Sequence, residues 1–173
     1  MKTNDGKINK LALHGLFTAI IAVLTLFASI PLPVGSGGAY LNAGDAAVFT
    51  AAFALGPFGG AVAAAVGSAL ADVLHGALIY APATLVIKGL MALIAGLIFK
   101  RSRLEKGRTV LAPAVGGLVM PAGYFVYELL LYGLGTALYG LWTNAIQYAF
   151  GVAAGAVIVA ALKKTVVLER FGK

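Results

Sequence analysis

The sequence predicts an all-α integral membrane protein, a bundle of six helices with both termini in the cytoplasm. Three observations predict it. Of the 173 residues, 61% are hydrophobic and only 11% are charged, whereas a soluble domain carries about 25% charged residues. Residues 11–44, 46–71, 109–127 and 129–162 hold no charge at all. Of the 13 Lys and Arg, all but Lys88 lie before residue 11, between 100 and 108, or after 162. A charge at mid-bilayer costs several kcal/mol by most scales, so uncharged runs of this length read as lipid-embedded. They are too long for barrel strands and lack period-two alternation, which favours helices. At about 20 residues per crossing the chain holds about six helices in one domain, 1–173.

Helix one is expected over 11–30. Pro31-Leu32-Pro33 stops it, because proline removes an amide donor and clashes with the preceding turn. It is longer than a signal-peptide core and is read as retained. Residues 34–41 form an external loop, in which Gly35-Ser36-Gly37-Gly38 suits a lid. Helix two covers 42–56 and ends at the turn Gly56-Pro57-Phe58-Gly59. Helix three covers 60–78. Its small residues recur every four positions in two strips, Gly60, Ala64, Ser68, Asp72 and Gly59, Ala63, Gly67, Ala71. Such strips let backbones approach closely and place this helix centrally. Pro82 opens helix four, 82–99, at a position where proline is tolerated. A basic loop follows over 100–108. Helix five covers 110–132, with a kink expected at Pro121. Helix six covers 137–162 and carries Gly151 and Gly155 in its inner half.

With six crossings, the three basic regions fall on one side. The positive-inside rule makes that side cytoplasmic. The net charge of +7 is thereby a topology signal and gives no reason to expect nucleic acid.

The polar residues inside the apolar segments concentrate at one depth, toward the outer face. Lys88, Asp45, Asp72, Glu128, Asn144, Gln147 and His75 all lie there. Intramembrane polar groups tend to face a cavity or each other. A shared outer depth predicts a pocket open outward and sealed inward, whereas channels spread polar groups through the membrane. Lys88 either pairs with Asp72 or Glu128 as interhelical glue or meets a ligand. Tyr124, Tyr127 and Glu128 share one helix face, and Asn144, Gln147 and Tyr148 repeat that spacing beside Trp142. Aromatic faces next to amides and carboxylates suit a small flat polar ring. Trp142, Tyr132 and Tyr139 fit an interfacial aromatic belt equally well. Asn42 and Asp45 fit helix capping as well as ligand contact. His75 reads as an interfacial residue.

No catalytic constellation, His or Cys metal pair or phosphate-binding loop appears, so no enzyme activity, metal or cofactor is expected. On helix one, Gly15 with Ala19 and Thr18 with Ala22 form small-residue strips. These suit either internal packing or docking of a partner membrane protein.

Several stretches together resemble the substrate-binding S components of energy-coupling factor (ECF) transporters. They are Tyr40-Leu41-Asn42-Ala43-Gly44-Asp45, Leu55-Gly56-Pro57, Gly67-Ser68-Ala69-Leu70-Ala71-Asp72, Ala81-Pro82-Ala83-Thr84 and Ile87-Lys88-Gly89-Leu90. Gly123-Tyr124-Phe125, Tyr127-Glu128, Asn144 and Gln147 extend the likeness over nearly the whole chain. Within that family the chain resembles the pyridoxine and hydroxymethylpyrimidine branch. The resemblance implies a six-helix subunit that captures a vitamin at its external face. It implies partners, a membrane T component and two cytoplasmic ATPases that consume the ATP. It implies a pocket from helices four to six, here Lys88, Tyr124, Glu128, Trp142, Asn144 and Gln147, with Asp72 and Asn42 as second choices. It implies docking of the T component on helix one, where the family's Ala-x-x-x-Ala pattern is replaced by Gly15-x-x-x-Ala19 or Thr18-x-x-x-Ala22. Delivery by tilting of the whole subunit in the bilayer is part of the same implication. The competing reading is a small proton-coupled secondary transporter using Asp72 or Glu128. Repeated halves and broken helices, common in such carriers, are not evident, and only Pro121 interrupts a helix interior.

Overall fold

The computed structural model describes residues 2–31, 40–101 and 106–164. The Gly35–Gly38 stretch, Arg103, Arg170 and Lys173 lie outside the described residues. Six helices are assigned: α1 (Lys2–Phe27), α2 (Gly44–Leu74), α3 (Ala81–Arg101), α4 (Lys106–Gly117), α5 (Val119–Tyr132) and α6 (Leu134–Lys163). Among the described residues, five helical stretches are long and apolar enough to cross a membrane, with α4 and α5 together forming one of them.

Helix one ends earlier than expected, at Phe27 rather than residue 30. Residues Ser29–Pro31 (β1) pair antiparallel with Tyr40–Asn42 (β2), Ser29 opposite Asn42. The residue before a proline avoids helical angles, so Ile30 is already extended when Pro31 is reached. The short ribbon then satisfies backbone groups that a fraying helix end would leave open.

The element α2 contains the predicted second and third helices. Gly56 interrupts it with φ 79° and ψ −177°. A Cβ on Gly60 would lie 2.5 Å from the Ala52 Cα. Eight residues of unbroken helix span about 12 Å, so the chain turns back on itself at Gly56. The first half, from Gly44 to Ala54, is buried along its whole length. It takes the central place that the small-residue strips had assigned to the following helix. That second half still packs as those strips require: Gly67 lies against the Thr18 carbonyl of α1 and Gly59 against His14. It ends at Leu74, four residues before the expected limit. Gly76, at φ 83°, reverses the chain there. Ala77 N–H donates to the Asp72 carbonyl and Gly76 N–H to Val73, the paired bonds of a Schellman cap.

Predicted helix five is divided between α4 and α5 at Leu118. Pro121 has no N–H to donate to Gly117, so the ladder opens one residue after that carbonyl. Gly133, at φ 82°, joins α5 directly to α6. Gly151 and Gly155 of α6 meet Asp45 and Phe49, each leaving only 2.8 Å for a Cβ. Phe49, Phe53, Met91, Phe99 and Val159 fill the core of the half nearer the basic residues, with Phe53 and Phe99 edge to face at 5.3 Å.

The reversal at Gly56 gives the first prediction. Its φ/ψ pair is open to glycine almost alone, so Gly56→Val costs about 1–3 kcal/mol. Thermal melts in detergent are expected to show a clear drop for Gly56→Val. Gly135→Ala, in open space within α6, should melt like the parent. Equal midpoints for both variants would contradict the fold-back.

Candidate ligand-binding site

A cavity of about 450 Å³ opens at the end of the bundle opposite the basic residues. Its walls come from repeated one-turn steps along each helix. Ser68 and Asp72 step along α2 toward His75. Tyr80, Thr84 and Lys88 step through the turn into α3. Met120, Tyr124 and Glu128 step along α5. Tyr139, Thr143 and Gln147, with Gly140 and Asn144 beside them, step along α6. Side chains three or four apart share a helix face, so each element turns one polar strip inward.

At the cavity floor Lys88 Nζ donates to Asp45 Oδ1, and both side chains are buried. Gln147 Nε2 donates to Asp45 Oδ2 at 2.9 Å. The same amide takes the Asn42 N–H on Oε1 at 2.8 Å and gives to the Asn42 carbonyl at 2.9 Å. Gln147 thus pairs with β2 as a neighbouring strand would. Lys88 Nζ also lies 3.1 Å from Met120 Sδ. The lysine partner expected from the sequence was Asp72 or Glu128; the structure gives Asp45 instead. Asn42 Oδ1 accepts the Gly44 N–H at 2.8 Å from one position ahead of the N-cap, Ala43, which has no side-chain cap bond.

Near the rim, Thr84 Oγ1 and Tyr124 Oη are hydrogen-bonded at 2.7 Å. Tyr127 Oη donates to the Ile79 carbonyl. Tyr80 packs at 5.8 Å from Tyr127 and 6.4 Å from Tyr124, ring centre to ring centre. Its hydroxyl donates to Glu128 Oε1 at 3.4 Å. Burial, then the Glu128 charge, push that hydroxyl up to about 12, so it remains a donor at neutral pH. Three buried side-chain atoms among the described residues have no hydrogen-bond partner: Ser68 Oγ, Asp72 Oδ2 and Glu128 Oε2. All three residues line this cavity. Among the described residues no three His, Asp or Glu side chains gather to hold a metal ion.

Seven of the eight sequence-nominated residues reach the cavity: Asn42, Asp72, Lys88, Tyr124, Glu128, Asn144 and Gln147. Trp142 does not. It is 61% exposed, one position from residues that face inward. His75 sits at the rim rather than apart from the site. Tyr80, Thr84 and Ser68 were not nominated, although Tyr80, Thr84 and Lys88 recur at spacing four. On α1, Gly15 and Ala19 are exposed, with open space around Gly15. Ala22 is buried and Thr18 faces Gly67, so that strip serves internal packing.

Residues 5–164 match the family model for the S component of the ECF-type riboflavin transporter. The chain belongs to that family of transporter S components. It is therefore a multi-pass membrane protein of a transport family. Over 174 aligned residues it is 33% identical to the thiamine precursor transporter HmpT of Lactococcus lactis, covering 100% of this chain and 99% of that one. An uncharacterised protein of Pyrococcus woesei is 38% identical over 146 residues, covering 84% of this chain and 96% of its own. Among solved structures, the S component for biotin from an ECF-type ABC transporter superposes with a TM-score of 0.72. That match covers 98% of both chains at 18% identity. The likeness establishes a shared fold.

The Lys88–Asp45 contact yields a stability prediction. Removing one partner of a buried ion pair costs about 3–5 kcal/mol, because the other charge is left uncompensated. Asp45→Asn and Lys88→Met should each lower stability by that order. Combined in one chain they should lose far less than the sum. Unfolding titrations of the four proteins read this directly; additive losses would deny the coupling.

Proposed function

We propose that this S component is the substrate-capturing subunit of an ATP-driven importer in a prokaryotic plasma membrane. Its cargo is a thiamine precursor of the hydroxymethylpyrimidine type. The observation that carries the reading is the position of the cavity. It lies at the end of the bundle away from Lys7, Lys10, Lys100, Arg101, Lys163 and Lys164, and the apolar core closes the half beneath it. With the basic end cytoplasmic, the cavity faces outward and captures rather than conducts. The turn at Gly56 supports six crossings with both termini inside.

The full-length likeness to HmpT supports the pyrimidine cargo. A tyrosine-walled cavity with amide and carboxylate groups suits that ring. Family membership supports a membrane T component and two ATPases as partners. The exposed Gly15–Ala19 strip of α1 suits the T component's approach.

Two experiments test this. Mass spectrometry of small molecules released from the denatured, purified protein should find a hydroxymethylpyrimidine-like compound. Riboflavin in its place would move the cargo to that named by the family model. Vesicles holding this protein alone should bind the compound without accumulating it. Accumulation driven by a pH gradient would instead support a proton-coupled carrier using Asp72 or Glu128. At the residue level, Asn144→Ala should weaken binding about tenfold, the loss of one buried hydrogen bond. Trp142→Ala should leave affinity within about twofold, since its side chain points away.

A further inference from the structure

We propose that the cavity selects ligands that donate hydrogen bonds or carry positive charge and rejects anions, with Glu128 as the discriminating side chain. The inference deepens the reading of this cavity as the capture site and rests on it.

The argument starts from which charges at the cavity are already matched. Lys88 is the buried cation, and Asp45 beneath it takes its charge. His75 lies at the exposed rim. The carboxylates of Asp72 and Glu128 each keep an oxygen without a partner, as does the Ser68 hydroxyl. Glu128 is 8% exposed and Ser68 1%, so these groups are withdrawn from bulk water. A buried polar group without a partner is costly, and more so when ionised. A ligand that supplies N–H or O–H donors relieves that cost. A phosphate or carboxylate adds like charge to a low-dielectric site in whose depth the described residues supply no uncommitted cation.

Glu128 is held for this role by a neighbour on α6. A Cβ on Gly140 would lie 1.7 Å from Glu128 Oε2. The bare glycine lets the carboxylate rest against the helix backbone, while Tyr80 orients the other oxygen. Unlike the Asp45 carboxylate, which Lys88 and Gln147 occupy, this one is positioned but incompletely bonded.

The test uses two planar probes of the same size and opposite charge, benzamidinium and benzoate. Calorimetric titration of the purified full chain should show benzamidinium binding at least about tenfold tighter than benzoate, the scale of one charge-assisted hydrogen bond. Glu128→Gln should cut that ratio several-fold, with melting midpoints confirming the fold. Tyr80→Phe, which removes the hydroxyl that orients Glu128, should also lower the ratio and serves should Glu128→Gln not fold. Equal binding of the probes, preference for benzoate, or binding of neither to the wild type overturns the proposal. An unchanged ratio in folded Glu128→Gln removes Glu128 as the discriminator.

The cargo is read separately with a hydroxymethyl-aminopyrimidine and its phosphate monoester. The ester binding as well as the alcohol would also overturn the selectivity. If benzamidinium binds and both pyrimidines fail, the selectivity stands and the thiamine-precursor reading falls.

Discussion

Everything about the upper half of this bundle depends on matching one buried charge. A lysine ammonium enclosed by protein within a membrane cannot stand alone. Asp45, in the first turn of α2, supplies the counter-charge to Lys88 of α3. The second Asp45 oxygen then fixes Gln147 of α6, and Gln147 grips the backbone of β2. One ion pair and one amide thus tie α2, α3, α6 and the ribbon at a single level. That level is the floor on which the cavity stands. Gly151 belongs to the same device, because the Asp45 Cβ occupies the space that its own side chain would need.

Much of this architecture was legible in the amino-acid order. Uncharged runs marked the helices, since bilayer energetics act on each segment locally. The concentration of Asp72, Lys88, Glu128, Asn144 and Gln147 at one depth pointed to the cavity for the same reason. Less visible were features set by tertiary neighbours. Asp45 and Lys88 are 43 positions apart, and no periodicity links them, so Asp45 read as a helix cap or a ligand contact. Trp142 read equally as a stacking ring beside Asn144 and as an interfacial belt residue; a helix rotates successive residues by about 100°, and Trp142 is turned outward. Tyr80 escaped notice because it sits in a turn, although its four-residue spacing from Thr84 and Lys88 was a usable signal. Gly76 was another: His-Gly after an apolar run marks a helix end.

Scaffold and cargo are separable in this family. The family model speaks of riboflavin, one full-length relative of a thiamine precursor, and the superposed structure of biotin. These are chemically unlike molecules, and the biotin S component retains the fold at 18% identity. A fold does not name its ligand; the side chains projecting into the site do. Here those side chains are rich in acceptors and tyrosines. The scaffold elements, by contrast, are small residues at contact points, such as Gly60, Gly67 and Gly155.

The order of synthesis gives the Lys88–Asp45 pair a further consequence. Asp45 emerges first, and its counter-ion follows only with α3. Gln147 comes later still, near the middle of α6. The first half of α2 is therefore made before the lysine that pairs with its acid in the finished bundle. Asp45 meets its ion-pair partner only when the nascent chain reaches α3. The α2–α3 segment, rather than any individual span, is thus the shortest run of helices that holds both partners of the pair.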